Sequence, residues 1–166
     1  MHRLHSRAAA RHIMDFVLFK KSLYFYAETM RTKSSIDKIT YEVIGLAIKI
    51  HKELGPGLLE SIYHRCMEHE LRKNGILFIS EIIVPLKYDD LLLDSRLKCD
   101  LLVENCLVVE LKAVEALLPI HEAQVLTYMK LLSAPKGLII NFNTENIFYR
   151  GQKTLVNHLF KHLEDI

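Results

Sequence analysis

Cysteine is scarce in this sequence, with Cys66, Cys99 and Cys106 the three examples among 166 residues. Their spacing fits neither a zinc-binding pattern nor a CxxC redox motif. All three stand in apolar segments, where a cysteine is usually a small buried side chain rather than a ligand or a nucleophile. The scarcity therefore argues against a disulfide-stabilised domain, a zinc domain and a thiol enzyme.

Long hydrophobic runs are also absent. No apolar segment approaches the roughly 20 residues that a membrane-spanning helix needs. The longest one near the N-terminus, Phe16–Phe19, is flanked by Asp15 and Lys20. A secretory signal requires a longer apolar stretch followed by a small-residue cleavage site. We therefore expect a cytoplasmic protein that does not associate with membranes.

A basic excess is missing from most of the chain. Residues 36–166 carry 15 basic and 18 acidic side chains, a net charge of −3, whereas residues 1–35 carry seven basic and two acidic ones, a net charge of +5. The main part of the chain therefore gives no argument from charge for nucleic-acid binding. Residues 1–35 are either a disordered or helical basic extension that touches nucleic acid or, as the sequence favours, an artefact upstream of a natural start at Met30.

Half of the residues are apolar and a quarter are charged, which is the composition of a globular protein. The length suits one domain, over residues 36–166. Apolar residues at helical spacing predict a helix over Ile36–Leu54 and, after the break at Gly55–Gly57, a second helix over Leu58–Lys73. The expected core stripe of this second helix consists of Leu59, Ile62, Cys66 and Leu71.

The apolar period changes from helical to strand-like after Asn74 and Gly75. The elements predicted from there are strands over Leu77–Leu86, Leu91–Val103 and Cys106–Lys112, a helix over Ile120–Leu132, a strand over Gly137–Phe142 and a closing helix over Leu155–Leu163. Three successive strands followed by a helix and another strand predict an α/β domain, with a mixed sheet flanked by helices.

The candidate chemistry lies in Asp100, Glu110 and Lys112. Glu110 and Lys112 are two residues apart on one predicted strand, so their side chains point to the same face. If the preceding hairpin is centred on Asn105, Asp100 lies opposite Glu110 and projects the same way. A slip of one residue would send Asp100 to the other face.

Two carboxylates in one small patch repel each other, and a divalent cation relieves that repulsion. Hard oxygen ligands suit Mg²⁺ or Mn²⁺. A neighbouring lysine such as Lys112 can hold an attacking water or stabilise charge on a phosphate. The pattern thus suits phosphodiester hydrolysis. A surface strand with an ordinary Glu/Lys pair has the same spacing, and on the bare pattern it is the favoured explanation.

Further motifs surround this pattern. Gly57, Glu60 and Tyr63 open the second helix at a spacing of three, and the segment Gly55–Tyr63 reads GPGLLESIY. The segment Cys99–Glu115 reads CDLLVENCLVVELKAVE, a later helix carries HEAQ and a tyrosine, and a strand reads GLIINF. Over about Ile39 to Val156, the chain resembles the GxxExxY protein family, a branch of the PD-(D/E)XK nuclease superfamily.

The resemblance implies the restriction-endonuclease-like αβββαβ core and a metal-dependent nuclease acting on DNA or RNA. It implies metal ligands at Asp100 and Glu110, a catalytic lysine at Lys112 and a supporting helix carboxylate at Glu60. The residues that it assigns to substrate binding or to support of the ligands are Tyr63, His121, Gln124 and Tyr128.

Two questions stay open at this point. The chain is expected to be either an active nuclease or a catalytically silent interaction module with a nuclease fold. The intact set of Asp100, Glu110 and Lys112, together with Glu60 and Gln124, favours the nuclease, which is the main prediction. The small size, the lack of a DNA-reading domain and the acidic main part of the chain are the arguments for the interaction module. A third and more remote expectation is a phosphohydrolase other than a nuclease that uses the same metal-binding residues. The sequence also leaves open whether a homodimer or an accessory partner is needed.

Overall fold

The computed structural model describes residues 31–93 and 97–165. Residues 1–30, for which the sequence predicts a basic extension or a start-site artefact, lie outside the described ranges. The helices are α1 Lys33–Leu54, α2 Glu60–Lys73, α3 Pro119–Leu131, α4 Ile147–Arg150 and α5 His158–Lys161. The strands are β1 Phe78–Ile83, β2 Leu86–Tyr88, β3 Leu91–Leu93, β4 Lys98–Val103, β5 Leu107–Lys112, β6 Lys136–Asn141 and β7 Gln152–Val156.

Five of the strands form a mixed sheet in the order β1-β4-β5-β6-β7, and β2 pairs with β3 in a separate hairpin. Strands β5 and β6 run parallel, while the other neighbours in the large sheet are antiparallel. The connection between the parallel strands contains α3, as a parallel crossover requires. Strands β1, β4 and β5 lie within the three successive strands that the sequence predicts, and they form an antiparallel meander.

Helices cover both faces of the sheet. On one face, α1 and α2 bury Val43, Ala47, Tyr63 and Met67 against Val109 and other sheet residues. On the other face, Val125, Tyr128 and Met129 of α3 pack against sheet residues that include Leu102, Val108 and Ile139. Strand β5 lies at the centre of the sheet and is buried from both sides, which explains its nearly continuous apolar sequence. The predicted mixed sheet flanked by helices is confirmed.

Two of the predicted elements are wrong. The single strand predicted over Leu91–Val103 is divided into β3 and β4, because β2 and β3 form a hairpin of their own. The helix predicted over Leu155–Leu163 is replaced by β7 and the four-residue α5, because the open edge of β6 pairs with residues 152–156. Periodicity could not reveal this pairing, because the hydrogen-bond partner is distant in sequence.

The predicted core stripe of α2 is also wrong in part. Leu59 precedes the helix and is 72% exposed, and Ile62 is 40% exposed. Leu71 is buried as predicted, and Cys66 is partly buried against the core. The helix also buries Tyr63 and Met67, which share helical spacing with Leu71. Within the described ranges, no helix combines the length and the apolarity that crossing a membrane takes.

Candidate active site

The turn between β4 and β5 sets the register of the two strands that carry the acidic residues. Glu104 and Asn105 both have positive φ angles, 47° and 52°, and Cys106 N–H donates to the Val103 carbonyl at 3.0 Å. These two left-handed residues and Cys106 make up the three-residue loop that reverses the chain between β4 and β5. Val103 then pairs with Leu107 and Leu101 with Val109, which is the register centred on Asn105 that the sequence predicts.

One residue beyond the last pair of this ladder, Asp100 lies across from Glu110. Here a hydrogen bond to the Asp100 side chain, instead of a backbone pair, joins the two strands. The Leu111 N–H donates to Asp100 Oδ2 at 2.8 Å. The half-buried carboxylate of Asp100 therefore approaches β5 next to Glu110. Because one of its oxygens is held by a backbone donor, the direction of the carboxylate is fixed by the strand pair itself.

Glu110 and Lys112 share a face of β5, as their spacing predicts. Lys112 Nζ donates to Glu110 Oε1 at 2.6 Å, and the two side chains are 12% and 3% exposed. The second oxygen, Glu110 Oε2, is buried and accepts no hydrogen bond from the described residues. A buried charged oxygen without a partner is costly, so this atom is where the site lacks a positive group.

The electrostatics show the same deficit. Burial and the negative charge of Asp100 raise the pKa of Glu110 to about 7, against the opposing effect of Lys112. Burial lowers the pKa of Lys112, but the hydrogen bond to Glu110 and the surrounding carboxylates raise it more, so that its pKa lies above the ordinary value. The pocket therefore holds more negative charge than its single lysine balances.

Glu60 approaches this cluster from the start of α2. Its negative charge raises the pKa values of both Glu110 and Lys112, so its carboxylate lies within electrostatic range of them. The turn before it depends on Gly57, whose φ of 95° suits glycine. Tyr63 closes the same turn, since its hydroxyl donates to the Gly55 carbonyl at 2.6 Å and accepts from Leu58 N–H at 3.2 Å.

Tyr63 is fully buried, and its ring stacks on Phe142 with the centroids 4.2 Å apart. Its place in the structure is that of a support for the turn before Glu60, and contact with a substrate does not suit it. The three positions of the GxxExxY motif thus form one local unit, in which the glycine and the tyrosine shape the turn that presents the glutamate.

Helix α3 supplies the other predicted residues. Gln124 Nε2 donates to the Tyr128 hydroxyl at 3.0 Å, and that hydroxyl donates to the Lys98 carbonyl at 2.9 Å. Burial raises the pKa of Tyr128, and the negative charges of Glu110 and Asp100 add to this effect, against the opposing hydrogen bond from Gln124. Because Tyr128 is 1% exposed, it holds β4 from beneath, whereas the half-buried Gln124 is accessible.

His121 lies at the start of α3, where its Nδ1 accepts from the Leu118 N–H at 3.1 Å. This bond caps the helix, and no described contact joins the ring to the carboxylates. The sequence analysis did not single out His64, whose Nε2 lies 3.3 Å from the Asp100 carbonyl oxygen. Its position four residues after Glu60, on the same face of α2, is the signal that could have identified it.

The donors available to a metal are oxygens. Cys99 and Cys106 are buried, and burial raises the pKa of both thiols, that of Cys106 to about 11. In the part of the chain that the structure describes, no group of three or more His, Cys, Asp or Glu side chains is arranged to hold a metal ion. Among the described residues, Asp100 and Glu110 are therefore a pair of neighbouring carboxylates without a third ligand arranged beside them.

Comparison with known proteins identifies one family. A family model of the PD-(D/E)XK nuclease superfamily matches residues 37–153, a range that contains all the site residues described above. No curated protein and no solved structure gives a significant match.

Proposed function

Because this chain belongs to the PD-(D/E)XK nuclease superfamily, we propose that it is a nuclease that hydrolyses phosphodiester bonds of DNA or RNA with Asp100, Glu110 and Lys112. The observation that carries the proposal is the buried Glu110 carboxylate. One of its oxygens is paired with Lys112 and the other has no described donor. A Glu/Lys pair with only a structural role would be expected to leave no buried carboxylate oxygen without a hydrogen-bond donor.

The residues suit a divalent cation. Nucleases of this superfamily generally use divalent metals, and Mg²⁺ or Mn²⁺ prefers carboxylate oxygens. Asp100 and Glu110 would hold the ion, and Glu60 would add a supporting negative charge. When bound, such an ion supplies Lewis acidity and makes a coordinated water more acidic.

The protein residues around that ion would position the reacting groups. Lys112 is held as a cation by three carboxylates, so at neutral pH it acts as a donor and a positive charge rather than as a base. Its ammonium group suits an attacking water or a phosphate oxygen. Gln124 is half-buried and is the α3 side chain best placed to meet substrate, while Tyr128 holds the Lys98 carbonyl beneath it.

We also propose that the chain belongs to the GxxExxY branch of the superfamily. Support comes from the local unit of Gly57, Glu60 and Tyr63. The positive φ of Gly57 and the two hydrogen bonds of the Tyr63 hydroxyl give each motif position a physical role in presenting Glu60.

Two measurements test the proposed nuclease. Calorimetry with Mn²⁺ is expected to show saturable binding to the wild type and none to Asp100→Asn, in which the amide oxygen still accepts the Leu111 N–H bond but the charge is gone. A panel of labelled single-stranded, duplex, branched and RNA substrates with Mn²⁺ is expected to contain at least one that is cleaved. Cleavage of that substrate should be about 10²–10³ slower in Lys112→Ala.

A catalytically silent module with the nuclease fold is the second candidate. It is favoured by the two-carboxylate arrangement, since no third ligand joins Asp100 and Glu110 among the described residues. This candidate predicts no saturable Mn²⁺ binding and no cleavage of any substrate in the panel. Metal binding without cleavage would support the site but reject the nuclease.

A further inference from the structure

Strands β1 and β4 lose their regular alternation at one shared point. Successive side chains of a strand point to opposite faces. Yet Ile79 and Ile82, three residues apart, both pack on the α3 side of the sheet. Cys99 and Leu102 of β4 are also three residues apart and pack on that same side. The alternation is therefore interrupted between the members of each pair.

The interruption lies at Glu81 and Asp100. Ser80 pairs with Leu101 and Ile82 pairs with Cys99, so the register places Glu81 opposite Asp100, although these two do not pair. Glu81 has a φ of 52°, a left-handed backbone conformation that is uncommon for a residue other than glycine. The backbone that carries the first candidate metal ligand is thus outside regular strand pairing on the β1 side, and the β5 ladder also ends at Leu101.

His64 of α2 meets the backbone at this point. Its Nε2 lies 3.3 Å from the Asp100 carbonyl oxygen and 3.3 Å from Ser80 Oγ. A carbonyl oxygen only accepts hydrogen bonds, so Nε2 carries the proton that is shared with it. The contact therefore gives the Asp100 carbonyl a donor at the position where regular ladder pairing is interrupted.

The imidazole is itself held in place. Its Nδ1 lies 4.0 Å from Glu68 Oε1, one helical turn further along α2, and Arg72 donates to Glu68 at 3.0 Å. A hydrogen bond from the Ser80 hydroxyl lowers the pKa of the Glu68 carboxyl, which places Ser80 between the two α2 side chains. The side chains of His64 and Glu68 are 13% and 20% exposed, so these two members of the network are largely removed from solvent.

We propose that His64 is a positioning residue of the candidate metal site. It holds the irregular backbone at Asp100 so that the carboxylate reaches the Leu111 N–H and faces Glu110. Tyr128 holds the Lys98 carbonyl from the α3 side, so His64 supplies the matching restraint from the α2 side. The role in metal binding rests on the proposed nuclease function, whereas the restraint on the Asp100 carboxylate does not.

Mn²⁺ binding to three variants tests the first part. His64→Ala should weaken Mn²⁺ binding about 10- to 100-fold, as loss of an outer residue that orients a ligand typically does. His64→Gln should restore most of the affinity, because its amide nitrogen can stand in for Nε2 as the donor. His69→Ala is the matched control, since His69 is an exposed histidine on the same helix, and it should bind Mn²⁺ as the wild type does.

Hydrogen exchange of the Leu111 amide tests the second part in the absence of metal. This amide reports directly on the Asp100 carboxylate, because Asp100 Oδ2 is its acceptor. His64→Ala should speed its exchange about tenfold, the equivalent of one ordinary hydrogen bond. The amide of Val109, which lies in the regular part of the ladder, should be unaffected.

The outcomes separate the two proposals. If the wild type binds no Mn²⁺, the proposed nuclease fails, and the Leu111 amide alone decides whether His64 restrains Asp100. Unchanged Leu111 exchange in His64→Ala overturns the positioning role. Equal acceleration at Leu111 and Val109 also overturns it, because that result means general destabilisation. Loss of Mn²⁺ affinity that His64→Gln does not restore argues against the hydrogen bond as its basis.

Discussion

Glu110 is the residue of the candidate site whose burial most reduces the stability of the fold. Its carboxylate is buried beside Asp100, and only one of its oxygens has a described donor. Such a group lowers the stability of the metal-free protein whenever it is ionised. Perturbed pKa values of this kind cluster at functional sites.

The metal-free protein is expected to lose stability as the pH rises from about 4.5 to 7. The pKa of Glu110 is raised from an ordinary 4.5 to about 7, so within this window the folded state binds a proton that the unfolded state has released. The free energy of unfolding then falls with increasing pH, by about 3 kcal/mol from this group. Chemical denaturation at a series of pH values measures it.

Glu110→Gln is neutral throughout and should remove this part of the pH dependence, so that the variant is more stable than the wild type at pH 8. Glu115→Gln, a change at an exposed carboxylate three residues after Lys112, is the control and should keep the wild-type profile. If Glu110→Gln kept the same slope as well, Glu110 would not be the group responsible.

Lys112→Ala should lower the rate of cleavage by about 10²–10³, as expected for loss of one preorganised donor. Mn²⁺ affinity should not fall, because the lysine competes with a cation for Glu110 Oε1. Lys112→Arg should restore little, since the guanidinium group is longer, planar and forked. Single-turnover cleavage and calorimetry on the same preparations measure both effects.

The alternative for Lys112 is charge balance alone. In that case Lys112→Ala would lower the melting temperature of the metal-free protein and leave any cleavage rate unchanged. Full activity in this variant would reject the catalytic role of the lysine, even if the fold and the metal site were intact.

At the scale of elements, the start of α2 decides where Glu60 lies. The helix has no side-chain cap at Leu59, and the preceding turn is instead held by the Tyr63 hydroxyl through Gly55 and Leu58. The motif tyrosine therefore belongs to the fold of this turn, and its effect on catalysis is indirect.

Tyr63→Phe should lower the free energy of unfolding by about 1–2 kcal/mol, because it leaves the Gly55 carbonyl and the Leu58 N–H without their partner while the ring stays stacked on Phe142. Urea denaturation measures the loss. Tyr149→Phe is the control, since Tyr149 is 80% exposed, and it should change stability by less than about 0.5 kcal/mol. Equal stability of the two variants would show that the Tyr63 hydroxyl does not hold the turn.

At the scale of the whole molecule, the sheet has helices on both faces and places the carboxylates where two ladders are interrupted. The β1–β4 ladder omits Glu81 and Asp100, and the β4–β5 ladder ends at Leu101 and Val109. The opening between β4 and β5 is bridged by Asp100 and flanked by α2 and α3. A ligand bound there contacts several elements at once and should stabilise all of them together.

Mn²⁺ at 100 times its dissociation constant should therefore raise the melting temperature by about 5–10 °C, from about 2.7 kcal/mol of linkage for a domain of this size. Differential scanning calorimetry measures the shift, and a chelator should reverse it. Asp100→Asn and Glu110→Gln should show no shift at the same concentration. An equal shift in these variants would place the metal elsewhere on the protein.

The sequence alone determined the elements whose patterns are local. The helical period of residues 36–54 predicted α1, and the turn at Asn105 predicted the β4–β5 register. The spacing of Glu110 and Lys112 predicted that their side chains share a face. Each of these features depends on neighbours within about one helical turn or one hairpin. The superfamily core followed from motifs of the same short range.

The tertiary structure alone decided what depends on partners that are distant in sequence. Strand β7 forms because β6 offers an open edge, and the stripe of α2 that is buried depends on where the sheet meets it. The burial of Glu110, and with it the raised pKa, comes from packing of the whole domain. The approach of His64 to Asp100 requires α2 to lie over the irregular point of β4, across 36 residues of sequence.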